Sequence, residues 1–119
     1  MKSKSQIAYL GTDQPTWKLF LASGLKPGTS FSSDFFNAMV AASGKTNPII
    51  GLVEFNSELG LSVSIRTDTW GRNSQYTVQD KTYRPISLKP LTEEEAKIQF
   101  KEIKDKGHDF YWLLAKLQF

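Results

Sequence analysis

Apolar and polar positions change period several times along the chain, and each change marks an element. In "GLSVSIRTDTW", residues 60–70, Leu61, Val63 and Ile65 alternate with Ser62, Ser64 and Arg66. A period of two belongs to a β-strand with one wet face. The preceding "NPIIGLVEFN", residues 47–56, reads as another strand, joined to it by a tight turn at "NSELG". "QYTVQ" and "TYRPISL" continue a meander, with Pro85 pointing to a sheet edge or a strand start. Nearer the N-terminus, "SQIAYLG" and "TWKLFLASG" are short apolar pieces separated by the turn signal "TDQP". Either suits a strand, and the second equally suits a short helix.

Two segments carry helical spacing. In "SSDFFNAMVAASGK", Ser32 or Ser33 can cap the first turn, Asp34 complements the dipole and Gly44 suits the left-handed C′ position. Phe35, Met39 and Ala42 then share a face with Phe36 and Val40. In "PLTEEEAKIQFKEIKDKG", Thr92 and Glu95 form a capping box, and Lys104 and Lys106 precede Gly107. Ala96, Phe100 and Ile103 make one apolar stripe, placed to lie across a sheet. The tail "DFYWLLAKLQF" is apolar enough for the core; its aromatic start favours a strand and its Leu, Ala and Lys a helix, and a strand is expected. These patterns predict a single α+β domain over residues 1–119. A mostly antiparallel β-meander of four or five strands is covered by the 92–105 helix. Residues 46–119 form this sheet-plus-helix core, and residues 1–45 an N-terminal extension containing a helix at 32–43.

Composition narrows the chemistry. The chain has 119 residues and no cysteine, so disulfide frameworks, thiolate zinc sites and cysteine nucleophiles are excluded, and a reducing, intracellular location is expected. No apolar run approaches the roughly 18–20 residues that cross a bilayer, and "MKSKSQIAYLGTD" lacks a signal-like apolar stretch. No membrane partner and no export are expected. The formal charge of +3 is unevenly spread. Residues 61–89 hold Arg66, Arg72, Lys81, Arg84 and Lys89 against Asp68 and Asp80, whereas the flanking segments are nearly balanced.

That basic segment also carries Trp70, Tyr76 and Tyr83. Arginine and lysine neutralise phosphates, and an aromatic face stacks on a base, worth about 1–3 kcal/mol each. Interleaved along strands, the two kinds form one candidate nucleic-acid surface: Arg66, Trp70, Arg72, Tyr76, Lys81, Tyr83, Arg84 and Lys89. Aromatic and basic residues are also ordinary in exposed strands, where cations guard against aggregation.

The ordered set "TWGR" after an alternating strand, then Ala96 and Phe100 in a capped helix, then Asp105–Lys106 and Tyr111 or Trp112, resembles the WGR domain over about residues 47–112. That domain accompanies the catalytic region of DNA-dependent poly(ADP-ribose) polymerases and also occurs in bacterial proteins. The resemblance implies a small antiparallel sheet with one packed helix that contacts DNA near strand ends. It gives Trp70 a place against a terminal sugar or base, and Arg72 a backbone contact. The sequence departs from the family after the arginine, where "NSQYTVQ" replaces a Gly-x-x-Gly-Gln turn. The order of "LSVSIRTDTW" and "RPISLKPLTEEEAKIQFKEI" is also similar to the transcriptional positive-cofactor family, which grips single-stranded DNA on a curved sheet.

Other motifs carry no chemistry. His108 stands alone just past a helix end, with no ligand set or nucleophile context. "SGKTNP" ends like a phosphate loop, but its first glycine position is Met39 and its helix precedes its strand. Glu93, Glu94 and Glu95 suit a helix N-terminus, and Trp17 and Trp112 are core candidates. The expected function is non-enzymatic binding of nucleic acid, DNA ahead of RNA, at single strands, ends or nicks, without cofactor or metal. The alternative is a small protein-interaction module, such as an adaptor or an enzyme inhibitor, with its aromatics as anchors.

Overall fold

The computed structural model of the protein describes residues 4–68 and 71–117. The chain runs β1 (Gln6–Asp13), α1 (Gln14–Ser23), β2 (Ser30–Ser32), α2 (Phe35–Ser43), β3 (Pro48–Phe55) and β4 (Leu61–Asp68). It continues through β5 (Gly71–Val78), β6 (Ser87–Pro90), α3 (Glu93–Asp105) and α4 (Tyr111–Leu114). The strands form one antiparallel sheet in the order β4-β5-β2-β1-β3-β6. The fold class is α+β with an antiparallel sheet, as the residue periods predict.

The strand order is not that of a meander. β1 and β2 lie at the centre of the sheet, so the described part of the expected 1–45 extension, residues 4–45, contributes its central strands. β3 pairs with β1 and β6, while β4 lies at the far edge, so "NSELG" joins strands that do not pair. The consecutive hairpin is β4–β5, in unbroken register from Leu61↔Val78 to Asp68↔Gly71.

Local chemistry sets the helix starts. Asp13 accepts a hydrogen bond from the Thr16 amide at 2.8 Å and Pro15 occupies the first turn, so "TDQP" opens α1 instead of turning the chain. The cap of α2 is Asp34, which accepts from the Phe36 amide at 3.1 Å. Ser32 instead accepts from the Asp34 amide, in the approach to the helix. Thr92 caps α3 as expected, and Glu95 returns to its side chain rather than to its backbone: the Glu95 amide donates to Thr92 Oγ1, which in turn donates to Glu95 Oε1, both at 3.2 Å.

Alternation along the central strands feeds two cores. Ala8 and Leu10 of β1, Val53 and Phe55 of β3, Phe31 and Tyr76 face Trp17 and Phe20 of α1. On the other face, Ile50 belongs to one core with Phe35, Met39 and Ala42 of α2, Phe100 and Ile103 of α3, and Leu113. Two expected core positions are exposed, Val40 and Trp112. The tail forms α4 rather than a strand: Phe110, Leu113 and Leu117 recur at helical spacing and pack into the second core. No helix among the described residues is long and apolar enough to cross a membrane.

Candidate functional site

The hairpin β4–β5 carries the candidate surface, and its register decides which side chains meet. Val63 lies opposite Tyr76, Ile65 opposite Ser74 and Thr67 opposite Arg72, so these share the face of the first core. Ser64 lies opposite Gln75 and Arg66 opposite Asn73, on the other face. Arg66 and Arg72 therefore point to opposite sides of the sheet.

The other cations lie elsewhere. Lys89 sits on β6 opposite Leu52, at the far edge, roughly 24 Å from β4 at a strand spacing of about 4.8 Å. Arg84 lines a shallow cleft with Phe20 and Gly24 near the end of α1, and Lys81 is exposed in the same β5–β6 connection. All five cations are exposed, but they do not form one face.

The rings divide similarly. Tyr76 is only 4% exposed. Its ring stacks on Phe31 at 5.3 Å between centroids and meets Phe55 edge-on at 4.9 Å. Its hydroxyl donates to Gln6 Oε1 at 3.2 Å. Sealed in this way, it is a core residue and presents no face to a base. Tyr83 is half-buried against Phe31, pairs through its backbone with Leu25, and donates its hydroxyl to the Ser57 carbonyl. Burial, with a smaller contribution from Glu58, raises the pKa of this phenol. Trp70 lies outside the described residues.

What the hairpin does present, among the described residues, is a free edge. Val78 N–H donates to Thr29 and Gln79 N–H to Gly60, so the odd-numbered residues of β5 turn their backbone groups toward β4. The bonded partners in β4 are then Ser62, Ser64 and Arg66. Val63, Ile65 and Thr67 direct their N–H and C=O groups off the edge. On the same residues the apolar row opens to solvent: Leu61 is 7% exposed, Val63 40% and Ile65 56%. Period-two reading had identified this row but not its edge position, which depends on pairing that the strand itself does not encode.

Beside the hairpin, on the face of Arg66, a cleft of about 260 Å³ separates α2 from the sheet. Ser30, Asn37, Arg66 and Gln75 line its polar side. No sequence signal marked Ser30, on a β2 too short to show a period, nor Asn37 of α2 or Gln75 of β5. Among the described residues no group of histidines or carboxylates is placed to hold a metal ion. His108 follows α3, with its ring edge-on to Phe36 at 5.7 Å. Comparison with protein-family models, with curated proteins and with solved structures gives no match.

Proposed function

We propose that the protein is a small protein-interaction module that binds an extended segment of a partner polypeptide along the free edge of β4. One observation carries this reading: an eight-residue edge strand without proline, glycine or bulge, whose off-edge residues also bear the exposed row Val63–Ile65. Edge strands are usually shortened, kinked or charged to prevent pairing. β6, at the opposite edge, follows that rule, with four residues ending in Pro90. Main-chain bonds to Val63, Ile65 and Thr67 would supply affinity, and the apolar row would select alternating side chains in the partner.

A random-peptide display selection against the protein tests this. Enriched peptides should carry apolar residues at alternate positions. Their affinity should fall for Ile65→Pro, which removes an off-edge donor, and for Ile65→Lys, but not for Ser64→Ala, whose backbone faces β5. Absence of enrichment, or peptides indifferent to both Ile65 variants, would overturn the proposal.

Nucleic-acid binding is the second reading. Its support is the exposure of Arg66 and, on the opposite face, of Arg72, which follows Trp70 by two positions in the sequence, together with the resemblance to the WGR pattern. Two phosphate contacts on a single strand predict a log–log salt slope of about −1.4. An oligonucleotide that fails to bind at low salt removes this reading.

A further inference from the structure

α2 packs on β1 at unusually close range. A Cβ at Gly11 would stand 1.8 Å from the Ala38 carbonyl oxygen, so only glycine at this position lets the helix backbone approach so near. The helix covers β1, while β2 and the hairpin continue past it. The step between the helix flank and the sheet is the 260 Å³ cleft.

We propose that this cleft binds a small organic carboxylate, held through its anionic end by Arg66, with its apolar body against Val40 and Ala41. Arg66 is steadied over the sheet by its Nη1 bond to Gln75 Oε1 at 3.4 Å. That bond leaves the Gln75 amide nitrogen to donate. Asn37 Nδ2 is tied at 3.4 Å to Ser32 Oγ, which is itself buried in the cleft floor, and Ser30 adds a hydroxyl. The polar groups are thus one exposed cation, held by a single side-chain bond, among neutral side chains, and among the described residues no aspartate or glutamate lines the cleft.

A single guanidinium with a planar fork matches a monoanionic carboxylate, and the nearby neutral donors complete its oxygens. A phosphate dianion would call for a second cation, which the lining lacks among the described residues. The volume lies just below the roughly 300–1,000 Å³ of drug-sized sites, so one ring or a short aliphatic chain fills it. Val40 and Ala41 are both exposed on the helix flank, which gives that body an apolar wall. The site is independent of strand addition: Ile65 lies on the opposite face of the hairpin from Arg66.

Amide-proton NMR titrations with benzoate, phenyl phosphate, benzyl alcohol and benzylamine test the proposal on the full chain. Benzoate should shift the Ser30, Asn37 and Gln75 amides saturably. It should bind more tightly than phenyl phosphate or benzyl alcohol, and benzylamine should leave those signals in place. Arg66→Gln should weaken benzoate by about tenfold or more, the loss of one charge-assisted contact. Ala41→Phe should block the cleft, with thermal melts confirming that both variants are folded. Ile65→Lys should titrate like the wild type even where it abolishes peptide binding. Unsaturable shifts in the wild type, undiminished binding by Arg66→Gln, or a preference for phenyl phosphate or benzyl alcohol would overturn the assignment.

Discussion

The indole of Trp17 occupies the space that any side chain at position 51 would need: a Cβ on Gly51 would lie 2.2 Å from the ring. This contact docks α1 onto β3 and seals the first core. Gly51→Ala forces a rigid, buried ring to move, so it should destabilise the fold by about 2–3 kcal/mol, the upper part of the overpacking range. Trp17→Phe removes the clashing ring atoms at the expense of a cavity. The double variant should therefore be more stable than the sum of the single changes allows, as urea titrations can measure. Additivity would mean that the two positions do not share this space.

Asp13 caps α1, and hydrogen bonds from the Thr16 side chain and backbone hold its carboxyl below its ordinary value of 3.8. A lowered folded-state pKa contributes stability that is present above the unfolded value and is lost as pH falls through the folded one. The protein should therefore weaken in the acid range below about pH 4, partly through this cap. Asp13→Ala should lose about 1 kcal/mol at neutral pH, a fall in Tm of about 4 °C. Asp13→Asn should keep most of the stability at pH 7 while flattening the acid dependence. Melts from pH 2 to 7 separate the two variants.

The elements were more legible in the sequence than their assembly. The cap and stripe of α3 and the alternation of β4 depend on residues within four positions of one another, and local spacing identifies them. The centrality of β1 and β2 depends on pairings across the chain, such as Phe31↔Tyr76, for which no local period exists. The separation of Arg66 from Arg72 needs the hairpin register: Asp68 opposite Gly71 places residues of unlike parity on the same face. Tyr76, by contrast, was readable. It lies two residues from Val78, and that period places both on one apolar face.

Burial of Tyr76 makes its role measurable apart from any ligand. Tyr76→Phe keeps the stack on Phe31 and loses only the bond to Gln6, so it should cost about 1 kcal/mol. Tyr76→Ala opens a cavity among aromatic rings and should cost about 3–5 kcal/mol. A base-stacking role would have the opposite signature, with little change in stability and a loss of oligonucleotide affinity. Urea denaturation and anisotropy on the same variants distinguish these outcomes.

Val63 and Ile65 expose apolar side chains on the residues whose backbone groups leave the sheet, so the hairpin edge invites pairing with any extended chain. The apparent mass of the isolated protein by light scattering should therefore rise with its concentration. Ile65→Lys should suppress that excess scattering. Because the site is exposed, Tm should change by no more than about 2 °C, the equivalent of roughly 0.5 kcal/mol. Ser23→Lys adds the same charge at the exposed end of α1 and should leave the scattering in place. If it suppresses scattering equally, net charge rather than the edge governs self-association, and the apolar row loses its claim to be the adhesive surface.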